Sequence, residues 1–468
     1  MYLTASILYN MEITGMWIPF KDFGYICHLM KKLCNIPFPP SRFPFFYGWM
    51  ILIAGTIGIL MSIPGQTMGV SVFTEKLLRD LPINRNNLSL AYLIGTIGSG
   101  ILITRAGKLY DQYGARIMGF ISGGILGLML LYLTRVDRIA NFFRGFLSVI
   151  SNELAIFILI TFGFWGIRFF GQGLLTLISR NMVMKWFDKR RGFVNGVMGI
   201  FVSFGFSYAP KILNYFIKQF EWRGAWMLLA VILGIGFVTF VLIFYRDNPS
   251  ECGCQTDGEG RFRISGKRPP SHPVRDFTLG EAKQTYAYWM FTLAMALNAL
   301  YISGITFHVV SVFSSVGYTA QKAINIFLPT SIIAIFCQFI GGWISDFVKL
   351  KFFLLFYMLG MLTTSTGLFW LGTHPAHYWL VITGNGISWG MYVLLVAVTW
   401  PRFYGLKHLG AISGYALSWM VIGSSLGPYL FSLSYEITGS YDTIAIVVFC
   451  IALILFTMSL KVNAPSTE

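Results

Sequence analysis

Arg168 lies near the middle of an apolar stretch, about 154–180, that holds no other charge before Arg180 at its end. A bare guanidinium at membrane depth costs several kcal/mol or more, so such a residue must face a wet cavity or a partner. At helical spacing Gln172, Thr176 and Ser179 continue a polar stripe from it, four, eight and eleven residues on. No acid is at hand, because all 19 Asp and Glu fall in loops, tails or the ends of apolar stretches. A cavity cation without a counter-charge points to an anionic ligand that supplies the missing partner. The same absence leaves no buried carboxylate to carry a proton.

Three other apolar stretches carry comparable stripes. Ser62 and Gln66 lie on the first; Asn298, Tyr301 and His308 on the seventh; Asn385, Ser388, Trp389 and Tyr392 on the tenth. For any one of these residues an interhelical hydrogen bond is the ordinary role, whereas four stripes together read as the lining of a cavity. His308 has the chemistry to carry a proton near neutral pH, but it sits toward the end of its stretch and reads first as a structural residue. Nowhere do a nucleophile, a base and an acid converge, and no His/Asp spacing suits a metal, so the chain does not read as an enzyme. Cys252 and Cys254 form a lone C-x-C, and with Cys27, Cys34, Cys337 and Cys450 they read as unpaired cysteines rather than a disulfide framework. The absence of a G-x-x-x-x-G-K loop argues against a nucleotide-driven pump within the chain.

The elements that position these groups are long helices. Of the 468 residues, 55% are hydrophobic and only 12% charged, about half the charge of a soluble protein. A membrane span needs ~20 mostly apolar residues. Twelve stretches qualify, at about 46–74, 87–106, 114–133, 154–180, 191–216, 223–245, 286–313, 323–344, 352–372, 377–400, 410–434 and 441–462. No alternating barrel pattern is present, so the expectation is an all-α membrane protein of twelve transmembrane helices. With residue 1 inside, 24 of the 35 Lys and Arg fall in inner segments and 10 in outer ones, Arg168 being the last. That bias makes the net charge of +16 a matter of topology rather than of nucleic-acid binding, and puts both termini in the cytoplasm of a cell (inner) membrane.

Residues 1–45 are interrupted by Glu12, Pro19 and Lys21 and read as a cytoplasmic extension, with Met30 opening a more usual leader. Residues 246–285, rich in Gly, Pro, Ser and charge, read as a cytoplasmic linker, and 463–468 as a tail. Between them the chain repeats itself. Gly192, Gly196, Gly205 and Pro210 recur as Gly410, Gly414, Gly423 and Pro428 at an offset of 218. Trp49-Met50 and Val70-Ser71-Val72-Phe73 recur as Trp289-Met290 and Val310-Ser311-Val312-Phe313 at an offset of 240. A long outer loop near 134–153, against a short one near 373–376, accounts for most of the slippage. The copies are six-helix bundles, 46–245 and 286–462, related about the membrane normal. The shared glycines and prolines suit close helix contacts and bends.

Gly107-Lys-Leu-Tyr-Asp111-Gln-Tyr-Gly114-Ala-Arg116, after the second span, resembles the signature G-x-L-x-D-x-x-G-x-R/K of the major facilitator superfamily. Gly342-Trp-Ile-Ser-Asp346-Phe-Val-Lys349 is a degraded copy after the eighth. Arg168-Phe-Phe-Gly-Gln172-Gly173 is similar to the family's R-x-x-Q-G element with one extra residue. Arg246-Asp-Asn-Pro-Ser-Glu-Cys-Gly253 looks like the hinge of the oxalate/formate antiporter and monocarboxylate-porter branch. The resemblance implies that spans one, four, seven and ten line a central cavity and that Asp111 is a latch favouring the outward-facing state. Arg180, Arg190 and Arg191 are candidate partners of Asp111, and by repeat symmetry Asp346 pairs with Arg402. Gly107 and Gly114 permit the tight turn of a short loop. The branch places a cation in its eighth or eleventh span; here neither span has an interior Lys or Arg.

The expectation is a monomeric, cofactor-free secondary transporter of a small organic anion, monocarboxylate-like, working by alternating access. It would act as an antiporter, or as a symporter whose proton rides on the substrate. The alternative is an exporter of drugs or of neutral or cationic metabolites with an aromatic pocket of Tyr301, Trp389 and Tyr392. The partners in either case are a small-molecule substrate, the lipid bilayer and a coupling proton or counter-anion.

Overall fold

The structure, a computed structural model, describes residues 33–146, 151–258 and 275–465. Cys27, the start of the leader, the middle of the linker and the last three residues of the tail lie outside the described residues. Among the described residues, ten helical stretches are long and apolar enough to cross a membrane. Two of them, Asn87–Thr134 and Arg191–Phe244, run 48 and 54 residues. At 1.5 Å per residue each would be more than about 70 Å long if straight, over twice a ~30 Å hydrocarbon core. Each is folded back at one residue with non-helical backbone: Gly114, with φ 79° and ψ 174°, and Glu221, with φ 57° and ψ 176°. Counting each as two gives twelve crossings. Crossing 1 is Gly48–Gly65; crossings 2 and 3 flank Gly114; crossing 4 is Asn152–Trp186; crossings 5 and 6 flank Glu221. Crossings 7 to 12 are Tyr286–Ser314, Gln321–Ser345, Leu350–Phe369, Pro375–Tyr404, Leu409–Thr438 and Asp442–Ser459.

Three expectations are corrected. The first span is not continuous. Its helix ends at Met61, a 3₁₀ turn follows at Ile63–Gly65, Gln66 is extended, and a short helix resumes at Thr67–Ser71. Pro64 withdraws a backbone donor, and Gly65 beside it loosens the chain. The long outer loop is in part a helix, Val136–Phe146, packed on crossing 4. Cys34 and Cys252, read as unpaired, are joined in a disulfide with Cα atoms 5.5 Å apart. What brings them together is a cradle of cations: Arg246 donates to the carbonyls of Cys34 (2.7 Å) and Ile36 (2.9 Å), and Arg116 donates to Ile36 O at 3.0 Å.

Crossing 4 is not a uniform α-helix. Residues Arg168–Leu175 form a π-helix between Asn152–Ile167 and Thr176–Trp186. An i→i+5 turn absorbs one added residue. The extra residue between Arg168 and Gln172 falls within this π-helical stretch.

Candidate functional site

The two halves meet at a seam that is closed at one end. Asp111 accepts backbone hydrogen bonds from Gly410 N (2.7 Å) and Ala411 N (2.8 Å), in the first turn of crossing 11. Asp346 accepts from Gly192 N (2.9 Å) and Phe193 N (3.1 Å), in the first turn of crossing 5. Each carboxylate therefore satisfies orphan N–H groups, and complements the positive end of a helix, in the opposite half. The donor pairs are related by the offset of 218 noted in the sequence. Arg402 completes the second site, its Nη2 donating to Asp346 Oδ1 at 3.0 Å. Backbones touch beside both carboxylates. A Cβ on Gly107 would strike Gly410 O and one on Gly410 would strike Gly107 O; Gly192 and Gly342 stand in the same relation.

Further hydrogen bonds tie the halves within the same end: Thr104 to Ser418 at 3.1 Å, Asn181 to Ser413 at 2.8 Å, and Gln338 to Asn195 O at 3.2 Å. The last glycines of crossings 2 and 5 to meet the opposite half are Gly100, against Val421, and Gly199, against Gln338; Gly95, Gly98 and Gly205 meet residues of their own half. Farther along crossing 5 the same face holds Ser207 and Asn214, both exposed. The seam thus opens into a cleft toward the other end.

The loop residues around the first carboxylate have separate tasks. Gly114 holds its positive φ against Asp247, whose carboxylate accepts from Ala115 N (3.1 Å) and Lys185 Nζ (2.8 Å). Arg116 is bound to Tyr245 O at 3.1 Å, as well as to the leader. Arg191 pairs with Asp188 at 3.2 Å. Arg180 does not serve Asp111, which corrects that expectation; its helix, Thr176–Trp186, packs on crossing 10 of the opposite half.

Arg168 is 2% exposed. Its Nη1 donates to Gly65 O at 3.2 Å and Thr67 Oγ1 at 3.3 Å, and its guanidinium lies 5.1 Å from the centre of the Tyr92 ring. Its Nε has no partner, and no carboxylate among the described residues lies within ion-pairing distance. The Gly65 carbonyl is freed by the break in crossing 1, so Arg168 partners backbone that lipid could not satisfy. The rest of its stripe spreads over several neighbours. Gln66 Nε2 reaches Ser62 Oγ (2.9 Å) and Thr176 Oγ1 (3.4 Å), while Ser179 meets Tyr245 at 2.8 Å. Gln172 is half-buried.

In the second half the candidates divide. Tyr301 bonds Thr364 of crossing 9 at 3.1 Å, with Asn385 beside it, and His308 Nε2 meets Pro428 O at 3.0 Å. Asn298 is buried with no hydrogen-bond partner for either amide atom. These residues lie inside the bundle. Trp389 and Tyr392 instead stack together, centroids 5.3 Å apart, and the Tyr392 hydroxyl reaches Met420 Sδ of crossing 11 at 3.3 Å.

The sequence profile of the Major Facilitator Superfamily matches residues 54–428. The chain belongs to that superfamily. The proton:xylose symporter XylE is similar over 89% of this chain and 95% of its own, at 14% identity and a TM-score of 0.58. FucP in an outward conformation is similar over 87% and 97%, at 12% identity and 0.62. The human organic anion transporter MFSD10 (TETRAN) is similar over 89% and 100%, at 12% identity and 0.61. No curated protein matches by sequence. The fold is the twelve-crossing fold of this superfamily, and the protein is a multi-pass membrane transporter.

Sequence reasoning within this superfamily missed one group and gave another a different role. The Lys185–Asp247 pair joins crossing 4 to the chain after crossing 6, and both residues are buried. Its signal was available in Asp247, an acid next to the Arg246 motif. Arg180 reads from the sequence as a loop partner of Asp111 because it ends its apolar stretch. A side chain leaning toward the start of its helix carries the charge back toward membrane depth.

Proposed function

We propose that the chain carries a small organic anion, monocarboxylate-like, across the cell membrane by alternating access. It works as an antiporter, or as a symporter whose proton travels on the substrate. The observation that carries this reading is Arg168, a cation at membrane depth with no carboxylate to neutralise it. An anion bound in the cleft lowers the cost of that charge through the field, without contact. Structures similar to this chain include sugar carriers as well as an organic anion transporter, so the choice of substrate rests on the chain's own residues. The basic loops and both termini face the cytoplasm in this reading, and Asp111 and Asp346 hold the cytoplasmic gate shut. The hinge-like Arg246–Gly253 segment supports kinship with the oxalate/formate and monocarboxylate-porter branch.

The exposed Trp389 face favours a second reading, export of neutral or cationic aromatic compounds. Uptake of labelled carboxylates into proteoliposomes, for wild type and Arg168→Ala, separates the two. Anion uptake that falls tenfold or more in the variant supports the first. Transport of neutral or cationic dyes that ignores the substitution, with no anion uptake in either protein, sinks it.

A further inference from the structure

Arg180 is the cation that neither the latch nor the broken crossing uses. It stands one residue before Asn181, whose amide donates to Ser413 Oγ across the seam at 2.8 Å. It is therefore at the floor of the cleft, immediately above the closed end. Helical side chains lean toward the start of their helix, which here carries the guanidinium away from the gate and into the cleft. Its Nε is buried without a partner, and no carboxylate among the described residues lies within ion-pairing distance. The helix that carries it, Thr176–Trp186, packs on crossing 10 of the other half, which holds Tyr392. Trp389 stacks on Tyr392, one helical turn nearer the open end, at an interplanar angle of 17° and with 38% of its surface exposed. Arg168 is twelve residues away, about 18 Å along the helix, so one small molecule does not reach both cations.

We infer that Arg180 and the Trp389–Tyr392 stack form the substrate site, and that its ligand is a planar, aromatic monocarboxylate held between the two halves. A guanidinium fork matches a carboxylate at two points, while a flat apolar wall selects a ring over a puckered or branched chain. The inference rests on the organic-anion reading and sharpens it. Because Arg180 belongs to the first half and the stack to the second, the ligand spans the seam. Its binding and the gate are then coupled.

The test uses the full-length protein in detergent micelles, with calorimetric dissociation constants for benzoate, cyclohexanecarboxylate and benzamide. Wild type should bind benzoate several-fold more tightly than cyclohexanecarboxylate and at least about tenfold more tightly than benzamide. Arg180→Gln should lose about tenfold or more toward benzoate with its unliganded melting temperature unchanged, and Arg180→Lys should fall between. Trp389→Leu should bring benzoate down to the level of cyclohexanecarboxylate and leave the latter's affinity as it was. Unchanged benzoate affinity in Arg180→Gln overturns the inference, as does an equal loss for both acids in Trp389→Leu. The Trp389 variant decides alone if Arg180→Gln does not fold. Should carboxylates bind wild type, fail with Arg168→Ala and persist with Arg180→Gln, this site falls while the anion reading stands. Binding of benzamide but of neither acid overturns both.

Discussion

Replacing Asp111 by Asn should weaken the closed end of the seam by an amount that follows from its two bonds. The carboxylate accepts from Gly410 N and Ala411 N at 2.7 and 2.8 Å, one oxygen to each. An amide keeps one acceptor, turns an NH₂ toward the other N–H, and gives up the charge that the helix end favours. A hydrogen bond to a charged group is worth about 1.5–3 kcal/mol, and a charge at a helix terminus typically 0.3–1 kcal/mol more. Desolvation of the buried carboxylate is relieved in the variant and offsets part of the loss. A net shift of about 1.5–3 kcal/mol moves the closed-to-open ratio roughly 10- to 100-fold. Spin labels at Lys108 and Lys349, exposed residues at the closed ends of opposite halves, report it as a growing long-distance population. Asp346→Asn should do more, because it also strands Arg402 without its carboxylate. Neither change touches the interior of a half, so insertion in the membrane should hold while transport falls. A distance distribution identical to wild type in Asp111→Asn, with uptake also unchanged, would refute the reasoning.

Glu221 holds φ 57° and ψ 176°, a region nearly confined to glycine that costs other residues about 1–3 kcal/mol. Glu221→Gly should therefore raise the thermal midpoint in detergent, by about 0.5–2 kcal/mol once glycine's entropy is counted, and a lower midpoint would remove the claim of strain. Asp257 accepts from Asp188 N (3.0 Å) and Lys189 N (2.6 Å), and burial raises its carboxyl pKa above 3.8 despite those bonds. The docked turn thus binds a proton more tightly than the free one, so docking gains as pH falls from above the docked pKa toward 3.8 and has no more to gain below it. Hydrogen exchange at the Asp188 and Lys189 amides, corrected for its intrinsic pH dependence, should not accelerate between pH 7.5 and about 5; acceleration contradicts the sign.

Much of this arrangement was legible because it is carried by residues with few alternatives. Gly107 and Gly410 are glycines because two backbones meet there, and that constraint wrote the repeat into the sequence. Arg402 followed from symmetry and does pair with Asp346. The partners of Asp111 were not legible, because a backbone N–H at a helix start has no residue signature of its own. Cations in the next loop, its arginines first, were the donors the sequence offered. The break at Pro64-Gly65 had a signal in its residue types, but an apolar run on both sides hid it. Cys34 and Cys252, 218 residues apart, had none, since tertiary contacts such as the Arg246 and Arg116 cradle bring the leader to the loop.

Crossing 4 shows how one helix divides two kinds of work. In an alternating-access carrier the halves rock against each other and contacts within a half persist. Arg168 binds Gly65, Thr67 and Tyr92, all in its own half, so its surroundings are the same whichever way the cleft faces. Arg180 lies on the stretch that packs on crossing 10 and, through Asn181, bonds crossing 11 of the other half, so its surroundings change as the halves move. A ligand shifts a conformational balance only by binding the two states unequally. A charge sealed within one half offers an anion little such difference, whereas one at the seam offers it directly. In the organic-anion reading proposed above, the lone mid-span cation accounts for the sign of the cargo. The one at the end of the stretch, which the sequence offered as a partner of Asp111, has the position to couple that cargo to movement in the same reading.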